Sequence, residues 1–381
     1  MGSKLFSPIT MRGLTLENRI VVSPMCEYSA DEGSAGDWHL MHLGNLALSG
    51  PGLVITEATA VEPRGRITHQ CLGLYSDENE AALARVVNFC REHGAAKLGI
   101  QLAHAGRKAS SERPWEGRGP LKAEAGAWET VAPSAVPSGQ GRTPPSRPPR
   151  HDWPVPSMLG REEMDEVREA FVIATQRAER LGFDVIELHM AHGYLLHSFL
   201  SPLSNHRNDD HGGDIENRMR YPLEVFDAVR EAWPDDKPLG VRISASDWVD
   251  GGWDVDSSVV FAEALKAHGC DYVCASSGGV SDEQKLSVGP GYQVPFAERI
   301  RQETGIPTMA VGMILEPEHA EAIIAEGKAD MVALARGLLY NPRWAWHAAE
   351  VLGAEASYPP QYARSRPMHW PEAFTKAGAA E

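Results

Sequence analysis

Disulfide chemistry has little to work with in this chain. The five cysteines, Cys26, Cys71, Cys90, Cys270 and Cys274, make an odd count and no C-x-x-C pair, which fits reduced thiols in a cytoplasm better than a disulfide framework. No run of about 18 apolar residues occurs. The first residues, Met1-Gly2-Ser3-Lys4-Leu5-Phe6-Ser7-Pro8, lack the apolar core of a signal peptide, so neither membrane spanning nor export is expected. Positive charge is also short. Lys and Arg number 36 against 52 Asp and Glu, a formal charge of −16, and this balance opposes nucleic acid and anionic membranes as partners. G-x-G-x-x-G, G-x-x-x-x-G-K-[ST] and H-E-x-x-H are all missing, which leaves a Rossmann site, a P-loop and a zincin without support.

What is present is alternation. Residues 5 to 17, with Pro8 and Met11-Arg12-Gly13-Leu14, read as a β-hairpin that could close the bottom of a barrel. Strands are expected near 18–25, 52–59 and 97–104, with a helix over 78–93. From 106 to 158 the pattern stops in a Pro-, Gly- and Ser-rich segment that includes Pro144-Pro145-Ser146-Arg147-Pro148-Pro149. A structureless loop of that length would be unusual, so a lid over the barrel mouth is expected. Met164, Val167, Phe171, Ala174 and Ala178 then fall at helical spacing over 161–181. After a strand at 183 come a helix at 217–232, strand 239–245, helix 257–268, strand 271–276 and helix 292–304. Strand 307–312, helix 316–326, strand 330–336 and helix 342–352 complete the alternation. Eight such units predict an α/β fold, a (β/α)8 TIM barrel with an N-terminal β-hairpin cap and a lid insertion after the third strand. The chain is read as one domain over 1–381, with a tail from 354 to 381 that carries Tyr362, Arg364, Arg366 and Trp370 beyond the barrel.

Polar residues at strand C-terminal ends face a TIM-barrel active site. On the strand Phe183-Asp184-Val185-Ile186-Glu187-Leu188-His189, alternation puts Val185, Glu187 and His189 on one face and Ile186 and Leu188 on the other. His189 should then point into the mouth. His192 falls on the opposite face unless the strand has already ended, which Gly193 favours. Gln101 and Arg242 are placed likewise near the ends of their own strands. A lone buried Arg is ordinarily an ion-pair partner, but several polar ends converging on one mouth favour a site. The ends of strands six to eight carry Ser276-Ser277-Gly278-Gly279, Gly312 and Ala335-Arg336-Gly337, which suit a phosphate-bearing cofactor. A metal held by His189 and His192, as in a barrel hydrolase, is the alternative. It needs a third ligand, and none stands out, so no metal is expected.

Four motifs occur together: Asn18-Arg19-Ile20 with Ser23-Pro24-Met25-Cys26; Gln101-Leu102-Ala103-His104-Ala105-Gly106-Arg107-Lys108; His189-x-x-His192-Gly193-Tyr194; and Ser201-Pro202-Leu203-Ser204-Asn205 with Gly212-Gly213 and Glu216-Asn217-Arg218. With them the chain resembles the Old Yellow Enzyme family of FMN-dependent ene reductases, in its bacterial thermophilic-like subgroup, from Leu5-Phe6 to about Arg364. The resemblance implies non-covalent FMN, with Ser23, Pro24, Met25, Cys26, Ala58 and Gln101 around the isoalloxazine and Arg242 beside its N1–C2=O edge. It assigns the phosphate to Gly278, Gly279, Gly312, Ala335 and Arg336. It further implies that His189 and His192 bind a substrate carbonyl oxygen, that Tyr194 donates a proton, that Cys26 tunes the flavin and that Tyr28 contacts the ligand. Arg364 would reach a neighbouring subunit's site, giving a homodimer or homotetramer. NADPH or NADH would be the reductant, and α,β-unsaturated carbonyl compounds, nitro compounds, maleimides and other xenobiotics the small-molecule acceptors. Glu27, His211 and Asp214 depart from the family's usual Gln or Thr, Tyr and Ser. A flavin-binding protein without turnover is a further reading, which Tyr194 as a placed proton donor opposes.

Overall fold

The computed structural model describes residues 2–138 and 153–369. The Pro144–Pro149 run and Trp370 therefore lie outside the described residues. The chain begins with an antiparallel hairpin, β1 (Ile9–Met11) and β2 (Leu14–Leu16). Strand β3 (Ile20–Val22), helix α1 (Asp37–Ala47), β4 (Leu53–Ala60), α2 (Asp77–His93) and β5 (Lys97–Ala103) follow. The insertion contributes a short parallel pair, β6 (Val131–Ala132) and β7 (Ser157–Met158), before α3 (Arg161–Arg180). Then come β8 (Val185–Met190), α4 (Leu195–Leu200), α5 (Ile215–Ala232), β9 (Leu239–Ser244), α6 (Val255–Ala267), β10 (Tyr272–Ser276) and α7 (Val294–Thr304). The last elements are β11 (Thr308–Ala310), α8 (Pro317–Ala325), β12 (Met331–Leu334), α9 (Arg336–Tyr340) and α10 (Trp344–Val351).

Eight parallel strands close in the order β3-β4-β5-β8-β9-β10-β11-β12, and β12 returns to β3 through Val332↔Ile20, Ala333↔Val21 and Leu334↔Val22. This is a (β/α)8 barrel. The two-residue period of the strands divides the core. Ile186 and Leu188 join Ile100, Leu102 and Val241 against the helices, where Phe171, Phe226 and Phe261 are buried. Val185 belongs to a separate inner cluster with Val21, Leu53, Ile55, Met309 and Met331. These inward residues sit near the starts of their strands, and Met11 and Leu16 of the hairpin pack among them. Each fully buried aliphatic side chain contributes about 1.5–3 kcal/mol.

Helix starts follow ordinary capping chemistry where polar caps exist. Ser76, Asp214 and Asp254 each accept the N–H three residues on, at α2, α5 and α6, a bond worth about 1 kcal/mol. Helix α1 differs. Its N-cap is Gly36, whose N–H is taken by His39 Nδ1 at 3.1 Å, and Trp38 and Met41 project outward, so the usual capping signature and a clean apolar period are both missing. The sequence reading accordingly has no helix there. Strand β4 also departs from a plain ladder. Its pairing with β5 shifts between Ile55 and Ala58, leaving Glu57 facing His39 of α1 across 3.2 Å while Ala58 stands beside Gln101. Among the described residues no helix is long and apolar enough to cross a membrane.

Candidate active site

The site starts where β8 stops. After Met190 the backbone enters the left-handed region at His192 (φ +60°) and Gly193 (φ +75°), which a non-glycine residue seldom adopts. His192 is held there by its own N–H on Ser244 Oγ (2.9 Å) and by Lys108 Nζ on its carbonyl (2.7 Å). Gly193 has no alternative, because a Cβ would lie 2.4 Å from the Gly279 carbonyl oxygen. Strand alternation is thereby broken, and His192 swings back beside His189. Their Nδ1 and Nε2 atoms are 3.3 Å apart and their rings meet edge to face. The Tyr194 ring stands edge-on to His189 at 4.9 Å, with Lys108 Nζ 5.0 Å from its centroid.

A buried support holds this turn from behind. His197 of α4 accepts the Gly193 N–H on Nδ1 (2.8 Å) and faces Asp247 Oδ1 with Nε2 (3.1 Å). Asp247 Oδ2 accepts from Ser201 Oγ (2.6 Å) and the Trp253 N–H (2.7 Å). No element is assigned to Leu195–Leu200 from the sequence. These six residues form a fully buried helix.

Burial, then the charges of Arg242 and Lys108, push the His189 imidazole well below its ordinary value, and burial with Arg242 and His189 does the same to His192. Both are neutral at neutral pH. His189 Nδ1 accepts the Ala191 N–H (3.3 Å), so its own proton sits on Nε2 and points at His192. Burial pushes the Tyr194 and Tyr28 phenols up, so both keep their protons. Cys26 is a free thiol, also raised, by burial and then by Cys71 and Glu57. Tyr28 meets Trp115 of the insertion edge to face at 5.8 Å.

A cavity of about 490 Å³ opens beside the pair, within the roughly 300–1,000 Å³ range of cofactor and ligand sites. Ser23, His192 and Arg242 line it together with Gly312, Ala335 and Arg336. Arg242 Nη1 donates to Ser23 Oγ (2.8 Å), while its buried Nε has no partner among the described residues. Gly312 (φ +113°) lets the wall approach, since a Cβ there would come 3.1 Å from the Gln293 nitrogen. A guanidinium with an unspent donor and an exposed Arg336 in the same lining fit an elongated ligand that carries both a polar ring and a phosphate, as FMN does.

Six of the sequence-predicted residues thus share one cavity: Ser23, His192, Arg242, Gly312, Ala335 and Arg336. Gln101 adjoins Ala58 on one side and donates to Glu187 on the other (2.7 Å), and Ala58 and Tyr194 border a small void with Cys71. Pro24, Met25, Cys26 and Tyr28 follow in the loop after β3. Gly278 and Gly279 stand apart from the cavity. The Gly278 N–H donates to the Ser246 carbonyl and the Gly279 N–H to Gln284 Oε1 (2.8 Å each). Arg364 is exposed in the tail and does not line this chain's cavity. The sequence reading passed over Tyr292 and Gln293, which line the cavity because α7 begins only at Val294. It gave Ser277 no contact of its own, whereas its hydroxyl donates to Gln293 Oε1 (2.6 Å). Among the described residues no group of three or more His, Cys, Asp or Glu is arranged to hold a metal ion.

A sequence model described as the NADH:flavin oxidoreductase / NADH oxidase family matches residues 4–355. The chain is 46% identical over 366 residues to an NADPH dehydrogenase of Geobacillus thermodenitrificans, spanning 96% of this chain and 99% of the relative. It is 43% identical over 366 residues to an NADPH dehydrogenase of Bacillus subtilis, with the same coverage. Among solved structures, morphinone reductase matches with a TM-score of 0.75 and 27% identity over 95% of this chain and 93% of that one.

Proposed function

The chain belongs to the NADH:flavin oxidoreductase / NADH oxidase family, in its Old Yellow Enzyme branch, and is an FMN-dependent NAD(P)H oxidoreductase; from that premise we propose that it is an ene reductase acting on α,β-unsaturated carbonyl compounds, with nitroalkenes and maleimides as further acceptors. The observation that carries this reading is the neutral His189–His192 pair, with nitrogens 3.3 Å apart, beside a protonated Tyr194.

Ser23, Pro24, Met25, Cys26, Ala58, Gln101 and Arg242 would hold the FMN ring, and Gly312, Ala335 and Arg336 its phosphate. When bound, FMN supplies the redox chemistry, taking electrons from NAD(P)H and passing them to the acceptor. The protein does the rest. A carbonyl oxygen placed between His189 Nε2 and His192 Nδ1 receives hydrogen bonds from both rings once His192 carries its proton on Nδ1. Such donors strengthen as negative charge gathers on that oxygen, by about 3–4 kcal/mol each in comparable sites. Because both imidazoles are neutral, they donate hydrogen bonds without surrendering a full proton to the oxygen. Proton delivery to Cα then falls to Tyr194, whose phenol remains protonated in its buried setting, as a general acid requires. Tyr28, which meets Trp115 edge to face, would contact the substrate. Arg364 would serve the site of a second copy in a homo-oligomer, and a fully active monomer at micromolar concentration by light scattering would refute that part.

The deciding experiment is anaerobic stopped-flow reoxidation of the NADPH-reduced enzyme by 2-cyclohexenone, a nitroalkene and a maleimide, with product analysis. Saturated product formed in step with flavin reoxidation is the expected result. Reoxidation by quinones or oxygen alone, with every C=C bond intact, would overturn the reading.

A further inference from the structure

One inward step below His189 on β8 lies Glu187, a carboxylate inside the barrel with 0% exposure. Two hydrogen bonds reach it, from Gln101 Nε2 to Oε1 at 2.7 Å and from the Tyr272 hydroxyl to Oε2 at 3.4 Å. Both are donated to it, as an ionised carboxylate prefers. Burial raises its pKa above the ordinary carboxylate value, and the nearby charge of Arg242 and the Gln101 bond oppose that rise. Arg242 stands on β9 opposite His189, one step nearer the mouth. A primary amide has one donor end and one acceptor end. With Nε2 committed to Glu187, Gln101 is left with Oε1, the acceptor, for a ligand entering the mouth. Arg242 offers only donors, with Nη1 on Ser23 and Nε unspent. One acceptor beside several donors is the complement of a flavin edge that carries N3–H next to C2=O and N1.

We propose that Glu187 is a positioning residue: its carboxylate fixes the Gln101 amide with the acceptor end toward the ligand and acts as the buried counter-ion of Arg242, so that it sets the relative affinity of the site for oxidised and reduced FMN. The inference rests on the reading that places Gln101 and Arg242 against the flavin ring.

The test is the midpoint potential of the holoenzyme. Glu187→Gln keeps the shape and removes the charge. Reduced FMN carries negative charge on its N1 side that the oxidised form lacks, so Arg242 without its counter-ion should favour the reduced form. The expected gain in reduced-over-oxidised affinity is about tenfold, a rise of about 30 mV for a two-electron couple. Glu187→Asp retains the charge and should restore most of the wild-type potential. An unmoved potential in Glu187→Gln, or equal shifts in both variants, overturns the proposal. Gln101→Ala separates the two levels: weakened FMN binding there with an unmoved potential in Glu187→Gln fails Glu187 alone, whereas unaltered FMN binding fails the flavin placement itself. Should neither Glu187 variant yield holoenzyme, neutron diffraction from the wild-type holoenzyme decides. Deuterons on Gln101 Nε2 facing a bare carboxylate support the proposal, and a protonated Glu187 facing Gln101 Oε1 overturns it.

Discussion

The lower and upper halves of the barrel interior are built from the same strands and the same alternating face, yet they have opposite chemistry. Along β8 the change takes two inward steps, from Val185 through Glu187 to His189. Val185 meets Val21, Leu53, Met309 and Met331 over the hairpin's Met11 and Leu16. Glu187 and His189 meet Gln101, Tyr272 and Arg242. The apolar floor does more than add stability. It removes polarisable neighbours from beneath the polar layer, so charges there act at a lower effective dielectric than at the surface. That is why one guanidinium and one ammonium, added to burial, hold two histidines neutral. Polar groups in such a layer must find partners or remain costly, and the unspent Arg242 Nε marks a partner that a ligand would supply.

This contrast can be broken from either side. The largest effect is expected from Tyr194→Phe, which removes the proton donor and keeps the ring. Enone reduction should slow by about 10²–10⁴-fold, the usual range for general acid catalysis, while reduction of the enzyme by NADPH stays near wild type in single-turnover kinetics. Equal slowing of both half-reactions would take Tyr194 out of its role. A floor substitution should do the reverse. Leu53→Ala should cost about 2–5 kcal/mol of stability, read by denaturant unfolding, with catalysis in the folded fraction little altered.

Smaller effects sharpen the contrast. His189→Ala should weaken binding of a phenol such as 4-hydroxybenzaldehyde by about 1.5–3 kcal/mol, the value of one hydrogen bond to a charged group, in a spectral titration of the bound flavin. The smallest effect concerns pH. Because both histidines titrate lower in the folded chain than in the unfolded one, protons bind the unfolded chain first as pH falls through about 6.5. Folding stability should therefore be fully present above that value and decline below it, by about 1 kcal/mol per imidazole at one pH unit lower. Urea unfolding of His192→Asn, which removes one titrating ring, should show a shallower decline, and an identical slope would argue against a neutral buried His192.

The strands were legible because each is a compact β-rich run between helical stretches, and because Ile186 and Leu188 differ so plainly from Glu187 and His189. Helix α1 was not, since its start depends on His39 reaching back to Gly36 and its exposed Trp38 and Met41 mimic no amphipathic period. The β4 shift at Ile55/Ala58 leaves no local signature either. At the site, of the glycines at strand ends, Gly312 lines the cavity whereas Gly278 and Gly279 do not, their N–H groups being taken by the Ser246 carbonyl and Gln284 Oε1. Whether a glycine N–H is available depends on what else reaches it, and Gln284 comes from further along the chain. His192 was ambiguous for the same reason, because its position depends on the Ser244 and Lys108 contacts that hold a left-handed turn.

The closing seam of the barrel, where Ile20–Val22 pairs with Met331–Leu334, has a consequence for how the chain comes into being. During synthesis the first strand emerges long before its second neighbour, and until Met331 arrives the growing sheet carries two unpaired parallel edges, which are templates for pairing with other chains. Contacts of such sequence separation are slow to form, since loop closure must precede them. The hairpin, whose Met11 and Leu16 come to lie on apolar residues from both ends of the chain, cannot find its seat earlier. A chain interrupted before residue 331 should therefore aggregate rather than settle into a smaller barrel.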